Sequence, residues 1–318
     1  MAATILVAGA TGNTGRGTVA TLSKLLNASN TALPGLRILA LTRSPQSAAA
    51  QQLASLPGVQ VLEKNWVEIT ADWLREHYVV RAFIASHNLP TQFADESAFH
   101  LALLEAGVQY VVRISTAAAT VRPDCPAYYP RAHWAIEALL GSPEFAALQW
   151  TSLQPNIFAA PYLATAAEFV KQTRRAGGKQ PGLLRLMAAR DAPVGVIDPD
   201  DVGTVAAHLL SEPDPARHNR ARYVLNGPED VTGAQIVEMV EQHIGARVES
   251  VSFQDMSFLE DYFAQRGDPN GAVESFRRTS EASTWAGKCM ASTTSKEVLE
   301  LGPPTRTVED VFKSLLDG

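Results

Sequence analysis

The sequence predicts an α/β fold: a doubly wound parallel sheet with helices on both faces, followed by a smaller α+β lobe. Three observations predict it. Short β-branched runs alternate with helix-length segments through the first half of the chain. A spaced-glycine turn joins the first run to the first helical pattern, and the alternation fades after Pro155.

The elements follow in order. Thr4–Ala8 is a β-branched run ending in glycine, and a helical pattern extends from Gly15 to Leu26. Strand-like runs recur at Arg37–Leu41, Val59–Leu62, Val80–Ala85 and Tyr110–Ile114, each separated from the next by a helix-length segment. Apolar runs of this kind suit strands buried on both faces of a parallel sheet. A helix around Ala132–Leu140 leads into Trp150–Leu153, closing a six-strand alternation, and right-handed crossovers wind such units into one sheet. Pro161–Arg175, Asp200–Leu210 and Gly233–Ile244 read as helices, the second opened by the cap Asp198-Pro199-Asp200-Asp201. Asn27–Gly35 and Gly177–Gly182 read as loops, and the polar stretch Gln265–Lys288 as a flap or lid.

Composition narrows the function. With 318 residues, 46% hydrophobic and 19% charged, the chain can bury a substantial core. Its net charge is -6 and no Lys/Arg run builds a basic face, which argues against direct nucleic-acid binding. Cys125 and Cys289 stand in no metal-ligand spacing and suit a reducing compartment. The chain enters a strand pattern at once and has no apolar stretch of bilayer length, so no membrane association and a cytoplasmic location are expected. The histidines are scattered, and neither H-E-x-x-H nor G-x-S-x-G occurs, so neither a metal site nor a hydrolase is expected. Oligomeric state is not readable from one sequence.

Gly9-Ala10-Thr11-Gly12-Asn13-Thr14-Gly15 lies between the first strand and the first helix, the setting in which spaced glycines bind a dinucleotide. One glycine makes the tight turn, one lets the backbone approach the pyrophosphate, and one lets helix and strand pack closely. The helix N-terminus then holds the anion. After the second strand the chain reads Leu41-Thr42-Arg43-Ser44, with no acid for a ribose 2′-hydroxyl and a guanidinium suited to a 2′-phosphate. NADP(H) is therefore expected in preference to NAD(H). Residues 1–155 are expected to form this Rossmann-type domain, with 196–226 returning to it. Residues 156–195 and 227–318 are expected to form the substrate lobe.

The glycine turn, Thr42-Arg43-Ser44 and Gln154-Pro155-Asn156-Ile157-Phe158 together resemble the NmrA-like family of atypical short-chain dehydrogenases/reductases. The resemblance extends to Ile136-Glu137, Val196-Ile197-Asp198 through Gly203, and Tyr223-Val224-Leu225-Asn226-Gly227-Pro228. It implies an NADP(H)-binding Rossmann domain with a small C-terminal lobe, in a family divided between reductases and redox sensors. Active relatives in the wider superfamily use Tyr-x-x-x-Lys after a Ser or Thr beyond the fifth strand. By that resemblance the catalytic candidates are Ser115, Tyr129 and His133, with His133 in the lysine position. In such a mechanism the tyrosine hydroxyl protonates a carbonyl oxygen as hydride arrives, and a histidine there can contact ribose and carry a proton near neutral pH.

Further cofactor candidates follow from placement. Asn65 and Trp66 stand where the family commonly carries an adenine-contacting acid, and Gln154 where it often carries arginine. Ser86, His87 and Asn88 lie at the mouth of the sheet after the fourth strand, as Pro155, Asn156 and Phe158 do after the sixth. Tyr128, Phe158, Tyr162, Phe258 and Tyr262 are candidate pocket walls. The expected function is an NADP(H)-dependent reductase or related isomerase of a small carbonyl, quinone-like or aromatic metabolite, bound between the sheet edge and the C-terminal lobe. The alternative is a non-catalytic NADP(H) sensor acting as an NmrA-type negative regulator through protein partners.

Overall fold

The computed structural model of the chain describes residues 2–259 and 271–317. Seven strands form one parallel sheet: β1 (Thr4–Ala8), β2 (Arg37–Thr42), β3 (Val59–Glu63), β4 (Val79–Ile84), β5 (Tyr110–Ile114), β6 (Gln149–Pro155) and β8 (Ala221–Leu225), in the order β3-β2-β1-β4-β5-β6-β8. The reversal between β1 and β4 is the topological switch point, outside whose strand ends such sheets bind ligands. The six-strand expectation is one short. Tyr223-Val224-Leu225 pairs with Leu153-Gln154-Pro155 as a seventh strand, a return that follows too long an intervening segment to be read as part of the alternation.

Strand alternation distributes the core to both faces. Ile5 and Val7 pack with α1 (Asn13–Leu26) and α7 (Pro199–Ser211), whereas Leu6 and Ala8 face the opposite core with α4 (Gln92–Ala106) and α5 (Tyr128–Leu140). Two glycines let α1 and α7 approach closely: a Cβ at Gly203 would stand 2.6 Å from the Thr18 nitrogen. The Asp198 carboxylate accepts from the Asp200 N–H at 2.8 Å and starts α7, as the Asp-rich segment predicts.

Beyond β6, α6 (Ala159–Arg175), β7 (Leu183–Arg185), α8 (Gly233–Ile244), β9 (Ser250–Ser252) and α11 (Val308–Asp317) surround a separate apolar core containing Tyr162, Leu186, Ile236 and Phe312. β7 and β9 pair in parallel as a two-stranded sheet. The remaining helices are α2 (Ala48–Ala54), α3 (Ala71–Glu76), α9 (Gly271–Ala282) and α10 (Lys296–Leu301). The described part of the anticipated flap is helical: α9 packs on α5, and Trp285 Nε1 donates to the Met187 carbonyl at 2.8 Å. Tyr262 and positions 265–270 lie outside the described residues. Among the described residues no helix is long and apolar enough to cross a membrane.

Candidate functional site

Local geometry makes the glycine turn. Gly9 has φ +82, and a Cβ there would lie 2.6 Å from the Ala85 carbonyl oxygen, so the turn both needs a left-handed residue and excludes a side chain. Gly15 admits none either, since its Cβ would fall 2.1 Å from the Gly9 oxygen. Gly12 is the N-cap of α1, with no side-chain cap and no acidic residue in the first turn. The orphan N–H groups at this helix start therefore have no side chain competing for them, which fits a bound pyrophosphate. Gly12 and Asn13 are exposed and Thr11 is half-buried beside them, whereas Thr14 is buried beneath the turn. A contact from Thr14 must come from its backbone.

Arg43 is exposed just past β2, and the Thr42 hydroxyl beside it accepts from the Ser44 N–H at 3.0 Å. Asn65 is engaged locally: its side-chain oxygen accepts from the Val67 N–H at 3.4 Å, and its amide donates to Glu68 at 3.4 Å. Trp66 packs edge-on against Phe99, with ring centroids 5.9 Å apart, and stands 5.4 Å from the His87 ring. It therefore lies at the border of the core rather than as an open platform. The His87 ring meets Asp95 at 3.0 Å through Nε2 and accepts from the Leu89 N–H through Nδ1. Asn88 is exposed, and its carbonyl accepts from the Tyr128 hydroxyl at 3.4 Å.

Pro155, Asn156 and Phe158 follow one another at the end of β6. The Asn156 amide donates to the Gly195 and Cys289 carbonyls, both at 2.9 Å, and accepts from the Ile157 N–H at 2.8 Å. Both amide hydrogens tie backbone segments together, so a cofactor contact from Asn156 would come from its backbone. Pro155 closes the strand, and Phe158 caps α6 and bridges to Ile197.

The catalytic candidates gather around the end of β5. Ser115 Oγ is buried and, among the described residues, has no hydrogen-bond partner, a costly state in protein alone. Burial pushes the Tyr129 hydroxyl pKa up, and Thr116 and the Arg113 charge oppose that shift. The helix starts at Tyr128, so Tyr129 sits inside the first turn of α5 and not ahead of it. Pro130 is tolerated there because first-turn N–H groups have no helical acceptor.

His133 departs from expectation. Its Nδ1 accepts from Arg113 Nη2 at 2.8 Å, so the ring proton belongs on Nε2. Burial first, and then the Arg113 charge, push its pKa down to about 3. The proton-carrying role anticipated near neutrality is thereby corrected: this ring is neutral. Its ring lies edge-on to Tyr129, with centroids 4.8 Å apart.

Arg113, fully buried, is the centre of a polar network the sequence reading passed over. Its Nε donates to Glu96 at 2.6 Å, its Nη1 donates to Ser152 at 3.0 Å, and Glu137 stands 3.5 Å away. Ser86, offered as a cofactor contact, instead donates to Glu96 at 2.7 Å and accepts from Gln92 at 3.0 Å. Glu137 accepts from Gln154 at 3.1 Å and Arg222 at 2.8 Å. Glu96 is held well below the usual carboxylate range, Arg113 and His100 overcoming the opposing effect of burial. The available signal was an arginine inside the apolar run Tyr110-Val111-Val112-Arg113-Ile114, which buried strands admit only with partners waiting.

Beside the ends of β6 and β8 opens a cavity of about 290 Å³, lined by Ala117–Ala119, Gln154, Asn226 and Lys288 among others. Lys288, Cys289 and Thr293 come from the chain's last quarter, and no motif flagged them. No group of side chains suited to holding a metal ion occurs among the described residues.

Residues 1–310 match the NmrA-like family. A (4-alkanoyl-5-oxo-2,5-dihydrofuran-3-yl)methyl phosphate reductase of Streptomyces griseus is 25% identical over 307 residues, covering 96% of this chain and 95% of that protein. An NADPH-dependent quinone oxidoreductase of Escherichia coli, solved with NADPH, superposes with a TM-score of 0.72 at 22% identity, covering 98% of this chain and 99% of that one. The negative transcriptional regulator NmrA superposes at 0.68 with 16% identity, over 100% of this chain and 96% of its own.

Proposed function

The chain belongs to the NmrA-like family, and from that premise we propose that it is an NADP(H)-dependent reductase of a small carbonyl, quinone-like or aromatic metabolite. One observation carries the reading. A bare helix start at the switch point, and Ser115 and Tyr129 beyond β5, lie at the same edge of the sheet, and a cavity opens at the ends of β6 and β8. A relative named as a reductase and a structural neighbour named as an NADPH-dependent quinone oxidoreductase support it.

In this reading Gly9, Gly12 and Gly15 admit the pyrophosphate to the amides of α1, and Arg43 pairs with the 2′-phosphate. The bound nicotinamide supplies the hydride. Tyr129 holds the proton at Oη that the substrate oxygen receives, and its raised pKa keeps that proton in place at neutral pH. Ser115 Oγ, without a partner among the described residues, turns to the nicotinamide or substrate. His133 orients Tyr129 edge-on as a neutral ring, and the nearby fixed cation is Arg113. The substrate occupies the cavity between the sheet edge and the C-terminal segment, with 1–155 and 196–226 serving the cofactor.

The neutral His133 favours a second reading, an NADP(H) sensor acting through a protein partner, because no mobile cation then assists Tyr129. NADPH oxidation across a carbonyl and quinone panel separates the two. The reductase reading expects turnover that falls about a hundredfold or more in Tyr129→Phe. Tight NADPH binding with no turnover across the panel supports the sensor instead.

A further inference from the structure

The donors around the cavity are nearly all committed. The Gln154 amide donates to the two carboxylate oxygens of Glu137, at 3.1 and 3.2 Å, and the Asn226 amide donates to Thr293 and Thr294, at 3.0 and 3.2 Å. Asn156 is likewise used up by two carbonyls, and the Thr293 hydroxyl donates to the Met290 carbonyl at 2.7 Å. Burial pushes the Cys289 thiol up to about 11, so it stays protonated, and its side chain is hydrogen-bonded to Ser283.

Lys288 is different. Among the described residues it is the one with a charged side chain lining the cavity; it is exposed, forms no ion pair, and its ammonium finds no hydrogen-bond acceptor. Opposite it stand Ala117–Ala119, an apolar wall. A solvent-accessible cation at a partly apolar cavity, with no carboxylate among the described lining residues, is matched by an anionic ligand.

This cation does not serve the cofactor's 2′-phosphate. Arg43 leaves β2, whereas Lys288 stands beside β6 and β8, at least four strand spacings away in the sheet order, or about 19 Å at ~4.8 Å per strand.

We infer that the substrate bears an anionic group, a phosphate monoester or a carboxylate, which Lys288 holds while the apolar body of the substrate lies along Ala117–Ala119. The inference rests on the cavity being the substrate site proposed above, and it names the chemical class that site accepts.

The test is a binding measurement and needs no turnover. NADP+ is first titrated into the protein by calorimetry, followed by phenyl phosphate, benzoate or benzyl alcohol. We expect phenyl phosphate or benzoate to bind, about tenfold more weakly to Lys288→Met and about as well to Lys288→Arg, with benzyl alcohol and NADP+ indifferent to both substitutions. The arm that binds distinguishes phosphate from carboxylate. Raising the salt concentration weakens the anion and not the alcohol, a second readout on the unmutated protein. Failure of both anions to bind, or equal binding by Lys288→Met, overturns the inference. Absence of heat with NADP+ instead defeats the cofactor reading, and the anion titration is then decided on the unliganded protein.

Discussion

The two ends of this sheet edge solve their problems with different materials. At β1 the site is made of backbone: three glycines, a bare helix start and a helix pressed close by α7. At β5 it is made of side chains carried by different segments, with Arg113, Glu96, His133, Glu137 and Ser152 meeting in one buried network that Arg222 joins from the surface. Backbone geometry is specified by neighbours in sequence, while a polar network exists only once distant strands and helices have packed.

The largest expected effect breaks the second region. Glu96→Leu leaves the Arg113 charge buried beside fewer acceptors, and denaturant unfolding should report a loss of about 3–5 kcal/mol. The double substitution with Arg113→Met should recover most of that loss, because an apolar pair replaces an ion pair of similar volume. A single variant as stable as the parent means the pairing does not hold α4 to β5.

Arg43→Ala probes the first region without touching the core. NADPH affinity should fall about 10- to 100-fold while NADH affinity stays unchanged, since only the 2′-phosphate loses a charged partner. Equal losses for both coenzymes remove Arg43 from the 2′-phosphate.

A smaller effect is graded with pH. The folded state holds His133 neutral with a pKa of about 3, below the unfolded value, so acid favours the unfolded chain. The stability due to this residue is full above about pH 6.5 and falls as pH drops toward the folded pKa, by up to ~1.4 kcal/mol per pH unit. His100, also lowered by burial, acts in the same sense. Glu96, whose pKa is depressed from the carboxylate range, stabilises fully above about pH 4.5 and loses that share only as the pH falls below it, so it adds no slope above that pH. Unfolding measured between about pH 6.5 and 4.5 should therefore have a shallower pH dependence in His133→Asn, with the His100 share remaining. An unaltered slope contradicts the neutral, buried ring.

What was legible follows the same division. Thr4–Ala8, Tyr110–Ile114 and Gly233–Ile244 match the observed boundaries because patterning and caps are local, the last reinforced by the Thr232–Gln235 capping box. The glycine turn was legible because strand, turn and helix are contiguous. β8 was not, since its pairing partner lies some seventy residues earlier, as Thr151↔Ala221 shows. The start of α5 was read four residues late because Pro130 suggests a boundary where the first turn tolerates it. His133 was read by alignment with a lysine, but its chemistry is set by Arg113, which only the folded sheet brings to it. Lys288 carries no motif, and its meaning comes from the cavity beside it.

The account turns on an anion bound by the free amides of α1, and Gly12→Asp tests that claim directly. Gly12 has φ -78, a conformation open to any residue, and its Cβ would meet the Gly9 oxygen at 3.1 Å, a tight contact that a small shift relieves. Aspartate at an N-cap stabilises a helix while filling the anion's place with its own carboxylate. Calorimetry on ligand-free protein should show NADPH binding to the parent and a loss of about a hundredfold or more in Gly12→Asp, whose thermal unfolding is not lowered. No heat from the parent, or parental affinity in the variant, would contradict the account.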